Sequence, residues 1–219
     1  MKQIIDSLQA AAMVRPGSVV MIGGFLGVGV PMKTIDALCQ RGTGQLTVIC
    51  NDTGFPEDGV GKLVVNRQVA RVMTSHIGTN PATGKQMNDG ELQVELVPQG
   101  TLAEQVRAAG AGLGGILTGT GLGTVAQEGR QVINVGGRDY ILAEPVSADI
   151  ALLKAHRADT AGNLVYRRSA RNFNPLMAMA AELVLVEVEE IVDVGQLDPD
   201  EVMTPGIFVD YLVRDGEKK

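Results

Sequence analysis

Four stretches in the first half of the chain are rich enough in apolar residues to predict strands. They are Val19 to Ile22, Leu46 to Cys50, Val69 to Thr74 and Leu92 to Val97. The first two suit strands covered on both faces, as in a parallel sheet, whereas Glu95 alternates with apolar neighbours in the fourth. Three of the four end in a polar or glycine turn that feeds the next segment. Between them the apolar spacing changes to helical. Ile4, Ile5, Leu8, Ala11, Ala12 and Val14 make one stripe, ended by Arg15-Pro16-Gly17. Ile35 and Leu38 follow Pro31, a residue favoured in the first helical turn. Thr101 with Glu104 three residues on has capping-box spacing and predicts a helix through about Ala109.

The second half has a different texture. Gln131 to Val135 and Asp139 to Leu142, joined through Gly136-Gly137-Arg138, predict a β-hairpin. Asp149 to Lys154, Leu164 to Tyr166 and Leu183 to Glu187 predict further strands. Asn174-Pro175 starts a short helix through about Ala180, and Asp215 to Lys219 is expected to be a frayed polar tail. The alternation predicts an α/β fold: an open, mostly parallel sheet flanked by helices, with additional β-hairpin elements in the second half and one domain over 1–219. Ligand crevices of such sheets lie beyond the strand C-termini. The segments to watch are therefore Gly23–Gly29, Asn51–Gly54, Ser75–Asn80 and Gln99–Gly100.

Composition narrows the partners. The net charge is −6, and no basic block interleaved with aromatics occurs, which argues against nucleic acid. No apolar run reaches the ~18 residues of a membrane helix, so no membrane partner is expected. Two cysteines without a CxxC pair, and an N-terminus lacking a secretory apolar region, fit a reduced, cytoplasmic protein. Glycine, at 28 of 219 residues, is nearly twice as frequent as the usual ~7 %, and it clusters in loops.

The most informative cluster is Gly23-Gly24-Phe25-Leu26-Gly27-Val28-Gly29 between a strand and a helix start. There, backbone N–H groups can approach a phosphate or an oxyanion closely, although a tight turn with no ligand fits equally well. Gly110 to Gly115 spells GxGxxG, but it follows a helix and precedes a strand, the reverse of a dinucleotide site. Gly84-Lys85 lacks the spacing and the hydroxyl of a P-loop. With only His76 and His156, no metal centre is expected. His76 reads as a surface residue beside a possible site, and His156 as a structural residue at a strand end. Glu187, Glu189, Glu190 and Asp193 read as a solvated acidic face, and Glu95 as a paired strand residue. No single acid or nucleophile stands out, so another chain would have to bring the attacking group.

Taken together, the motifs form a set. Ile22 to Pro31 resembles the GGF-x3-G-x-P signature of the family I coenzyme A transferases. Asn51 to Gly54, Ser75 to Pro81, Val97 to Gln105, Gly110 to Gly115, Thr124 to Gly129 and Ser169 to Pro175 resemble the same family in the same order. The likeness covers nearly the whole chain and is nearest to α subunits of the short-chain acetate/acetoacetate type. It implies ping-pong transfer of coenzyme A between carboxylic acids. A glutamate of the β subunit attacks the acyl-CoA carbonyl and forms a glutamyl-CoA thioester, and the second acid then takes the CoA. The family's SENG-like motif is not found in this chain.

By matched position, the resemblance places Asn51 and Gln99 at the oxyanion. It places Gly23, Gly24, Phe25, Leu26, Gly27, Val28 and Gly29 against CoA or the acyl group. It implies a β-subunit partner in an α2β2 assembly, acyl-CoA and a small carboxylic acid as substrates, and no permanently bound cofactor. A dicarboxylate transferase subunit for 3-oxoadipate or glutaconate stays open beside it, as does a non-catalytic acyl-CoA sensor on the same fold. A sensor would carry an output segment, and none is expected before Met1 or after Val213.

Overall fold

A computed structural model of the protein describes residues 1–214, so the expected tail at Asp215–Lys219 lies outside the described residues. In chain order the first half comprises β1 (Gln3–Ile5), α1 (Ser7–Met13), β2 (Val19–Ile22), α2 (Met32–Arg41), β3 (Leu46–Ile49), α3 (Val60–Val65), β4 (Val69–Thr74), α4 (Pro81–Asn88), β5 (Gln93–Leu96) and α5 (Gln99–Gly110). The second half comprises β6 (Ile116–Thr118), β7 (Val132–Val135), β8 (Arg138–Ala143), β9 (Ala148–Asp159), β10 (Leu164–Val165), α6 (Asn174–Met177), β11 (Ala181–Val192) and β12 (Tyr211–Val213).

The main sheet has the strand order β1-β12-β11-β9-β2-β3-β4-β5, parallel throughout, with β10 added antiparallel to β9. From β2 the chain winds outward through β3 and β4 to β5. It then returns to the other flank of β2, through β9, β11 and β12. The reversal falls between β2 and β9, where an open α/β sheet forms its crevice. A separate antiparallel sheet, β6-β8-β7, contains the expected hairpin.

Strand periodicity sorts the apolar residues onto two faces. Val20, Ile22, Val48, Ile150 and Leu152 pack with α1, α2 and α3, for instance with Ala10, Leu38 and Leu63. Met21, Ile49, Ala151 and Leu153 turn the other way, onto Leu102 and Val106 of α5 and Met177 of α6. Burying one such leucine is worth about 1.5–3 kcal/mol relative to leaving it exposed. Both faces of the sheet are therefore sealed, and the ligand-accessible edge is its C-terminal rim.

Several expectations are corrected. Ile4 and Ile5 belong not to a helix but to β1, held by parallel pairing with Leu212 and Val213. The helix begins after Asp6, whose carboxylate accepts from Gln9 N while the Gln9 side chain accepts from Asp6 N. Conversely, Thr101 is not an N-cap. Helix α5 starts two residues earlier behind Pro98, Thr101 is buried in its first turn, and Glu104 pairs with Arg107 at 2.6 Å. Strands β9 and β11 also run well past their predicted ends, paired from Ala148↔Ala181 to Asp159↔Val192. Cross-strand charge holds the extension: Lys154 faces Glu187, His156 meets Glu189 at 2.8 Å, and Arg157 meets Glu190 at 3.0 Å. His156 is thus inside β9 rather than at its end. The acidic stretch is half of a charge ladder, with Glu187 buried. Glu95 is paired as expected, to Arg71 at 2.6 Å and Arg130 at 3.4 Å.

Candidate active site

The four segments converge on the C-terminal rim beside the switch between β2 and β9. The glycine loop leaves β2 with Gly23 N donating to Leu152 O of β9 at 3.0 Å. It then folds into a turn in which Phe25 and Val28 exchange both backbone hydrogen bonds, at 3.0 and 2.9 Å. The tip side chains Phe25, Leu26 and Val28 are exposed and apolar. Behind the loop, between it and Phe55, Asp58 and Val60, only about 10 Å³ is free, room for roughly one water molecule.

Asp52 ties this loop to the next one. It is 6 % exposed, and both of its carboxylate oxygens are engaged. Oδ2 accepts from Leu26 N at 3.0 Å and from Asn51 Nδ2 at 2.7 Å, and Oδ1 accepts from Gly54 N at 2.9 Å. Asn51 in turn accepts at Oδ1 from Gln99 Nε2 at 2.7 Å and from Ser75 Oγ at 3.2 Å. Asn51 is 2 % exposed, whereas Gln99 is exposed at the start of α5, so the reachable donor of the pair is Gln99. Its place in the first turn adds the positive end of the α5 dipole.

The far end of the loop is gripped by the segment before α6. Asn174 has no exposed surface, and its Nδ2 donates to Gly29 O at 3.0 Å and to Ala170 O at 2.9 Å. Its Oδ1 accepts from Lys154 N at 3.0 Å, and Asn172 Nδ2 reaches Val28 O at 3.0 Å. Asp52 and Asn174 are the residues that motif reading left without a role. The signal lay in their type: a short polar side chain beside a glycine loop can replace missing backbone partners.

One expectation about this region changes. The N-terminus of α2 is not open to an anion, because Glu187 already caps it. Glu187 Oε2 accepts from Thr34 N at 3.0 Å and from Thr34 Oγ1 at 3.2 Å. His76 is exposed and joins the site through its backbone, pairing with Asp52 and accepting from Thr53 N. The Gly110–Gly115 stretch forms the turn from α5 to β6 and stands apart from these contacts. Cys50 lines the loop pocket, but burial above all, with the Asp52 charge adding to it, pushes its thiol up to about 12 despite the Thr74 contact. It is no nucleophile near neutral pH. Among the described residues no cluster of His, Cys, Asp and Glu could hold a metal ion, and no helix is long and apolar enough to cross a membrane.

Known proteins carry the same organisation. The acetate CoA-transferase subunit alpha of Escherichia coli K12 is 51 % identical over the full length of both chains. The alpha subunit of the acetoacetyl-CoA:acetate/butyrate CoA transferase of Clostridium acetobutylicum is 48 % identical, over 92 % of each chain. The fold superposes on the acyl-CoA transferase YdiF of Escherichia coli O157:H7, crystallised as a thioester complex with CoA. The TM-score is 0.88 at 20 % identity, with all of this chain matched to 48 % of that one, so the chain spans about half of YdiF. The family model described as coenzyme A transferase matches residues 5–215. With that span and these relatives, the chain belongs to the coenzyme A transferase family.

Proposed function

We propose that this chain is the α subunit of a two-chain enzyme. The enzyme moves coenzyme A from a short-chain acyl-CoA to a carboxylic or 3-oxo acid by a ping-pong route. A glutamate on the β subunit attacks the thioester carbonyl and expels CoA thiolate as a mixed anhydride forms. The thiolate then attacks the glutamyl carbonyl, releasing the first carboxylate. The resulting glutamyl-CoA thioester passes CoA to the second acid by the reverse steps. Each attack places negative charge on a carbonyl oxygen. Gln99 stabilises it with the Nε2 hydrogen not engaged by Asn51, and Asn51 holds that amide in place. A fixed donor of this kind needs no reorganisation when the charge develops.

The observation that carries the reading is the state of the chain's own nucleophiles. Asp52, the carboxylate beside the amide pair, has both oxygens held by N–H donors. The Cys50 thiol is kept protonated by burial. Neither Asp52 nor Cys50 is thus free to attack, which supports an attacking group brought by the partner to an electrostatic half-site on this chain. The exposed apolar tip at Phe25, Leu26 and Val28 favours a short apolar acyl chain over a dicarboxylate.

The test is to purify this chain alone and together with its partner, expected as two copies of each, and to assay acetyl-CoA with acetoacetate. Activity is expected only in the complex. Mass spectrometry after acetyl-CoA treatment should find the CoA adduct on a partner glutamate. Turnover by this chain alone, or an adduct on one of its own residues, would overturn the proposal.

A further inference from the structure

Strands β2 and β9 pair as far as Ile22 and Leu152, and Gly23 N still donates to Leu152 O. There β2 turns away into the glycine loop while β9 runs on. The next N–H on that side of β9, that of Lys154, has no strand partner, and a backbone donor inside the fold needs another acceptor. Asn174 supplies it. Its Oδ1 accepts from Lys154 N at 3.0 Å, while Nδ2 donates to Gly29 O at 3.0 Å and to Ala170 O at 2.9 Å. One side-chain amide thus stands in for a peptide group of the departed strand. It joins β9, the returning end of the loop and the Arg167–Arg171 turn. The glycines at the two loop ends make room for it. Gly23 lies outside the left-handed region, so its backbone would accept a side chain. A Cβ there would fall on Asn174 Oδ1, with Cγ 2.7 Å away, and a Cβ on Gly29 would lie 3.0 Å from Asn174 Nδ2. Gly23 is therefore a glycine because the amide occupies its side-chain space, not because a turn demands one.

We propose that Asn174 is a positioning residue for capture of the acyl-CoA: its amide sets both ends of the glycine loop before the ligand arrives. The inference rests on the CoA-transfer reading above, with the thioester received at the loop. Asn174 has no exposed surface, so it meets no ligand itself and acts through the loop's position. Asp52 and Asn172 hold the tip at Leu26 N and Val28 O, whereas Asn174 sits where the loop leaves and rejoins the fold. A loop ordered during folding has little freedom left to lose on binding, which favours capture. The two half-reactions separate this role from general support. In a ping-pong enzyme, kcat/KM for the acyl-CoA reports capture of the free thioester. By contrast, kcat/KM for the acid starts from CoA already joined covalently to the partner glutamate, where no capture is needed.

The test measures both constants in the assembled enzyme, with acetyl-CoA and acetoacetate, for Asn174→Ala, Gly23→Ala and the two combined. Asn174→Ala removes the amide, whereas Gly23→Ala displaces it and leaves every polar group in the chain. Each single variant should lower kcat/KM for acetyl-CoA about tenfold or more, and kcat/KM for acetoacetate by less than about threefold. The combined variant should be no worse than Asn174→Ala alone, since both changes act on one amide. Equal losses in the two constants, in any variant that assembles, overturn the proposal, as a merely structural role would lower both together. So do an unchanged constant for acetyl-CoA and multiplicative losses in the combined variant. Gel filtration showing that neither single variant assembles with the partner also overturns it, because the amide would then hold the fold rather than aim the loop. A wild-type complex that moves no CoA from acetyl-CoA to acetoacetate would overturn the transferase reading itself, whereas an active wild type with indifferent variants overturns only the role of Asn174.

Discussion

The Gln99 side-chain amide donates to the Asn51 carbonyl oxygen across 2.7 Å, joining two residues 48 positions apart. Asn51 also donates to Asp52, which holds the amide of Leu26 in the glycine loop. The exposed donor, its buried support and the glycine loop thus form one connected network.

If Asn51 acts through Gln99, the two should not contribute independently. In the assembled enzyme Gln99→Ala should lower kcat roughly 10²-fold, the usual loss for one oxyanion donor. Adding Asn51→Ala should change this by no more than about twofold. Multiplicative losses in the double variant would instead place Asn51 in direct contact with the oxyanion.

Asp52→Ala removes the acceptor of three N–H groups, from Leu26, Asn51 and Gly54. Buried donors left without partners should cost roughly 2–4 kcal/mol in urea unfolding. An unchanged midpoint would mean that water replaces the carboxylate at no cost.

Gly24→Val probes the loop. Gly24 has φ +125°, and a Cβ there would sit 2.2 Å from Val30 Cγ2, so a β-branched residue suits neither the backbone nor the space. Calorimetry on the complex should show lost acyl-CoA binding. Unaltered binding would reduce the loop to a simple turn.

Removing Glu187 should loosen the start of α2. Glu187→Ala leaves Thr34 N–H uncapped and takes a carboxylate from beside Lys154, costing about 1–3 kcal/mol, while Glu187→Gln keeps the acceptor and recovers most of it. Equal destabilisation by both variants would show that charge, not capping, is what the site needs.

The Cys50 thiol supplies a pH signature. Burial raises it from an ordinary value near 9.0 to about 12. The native state therefore keeps a proton that the unfolded chain loses. Its contribution is intact below pH 9 and declines as the pH rises towards 12, by up to about 1.4 kcal/mol per pH unit. Denaturation at pH 8 and pH 10 should show this decline in the wild type and a shallower one in Cys50→Ala. Parallel slopes would show that the thiol does not ionise on unfolding.

Much of this architecture is legible in residue order. The largely apolar segments at Val19–Ile22, Leu46–Cys50, Val69–Thr74 and Leu92–Val97 specify strands, because their short apolar sets need a covered surface. Their closing turns mark the rim that bears Asn51 and Gln99. Local rules failed where two segments fit the same letters. Asp6 with Gln9 and Thr101 with Glu104 have equal capping spacing, but only the first caps a helix, since Pro98 starts α5 two residues before Thr101. Strand β1 needs β12, more than two hundred positions away, and the charged halves of β9 and β11 pair in register with Ala155, Ala158 and Val188 buried between their charged residues.

The sequence by itself determined the alternation of strand and helix and the glycine turn, since these follow from side-chain type and spacing. Only the tertiary structure decided which polar groups meet. It gave Asp52 three donors, set Asn51 behind Gln99, closed α2 with Glu187 and laid the Arg167–Arg171 turn against Gly29. Hydrogen bonds and ion pairs act over a few ångströms, and which side chains come that close is settled by packing around the sheet rather than by nearness along the chain.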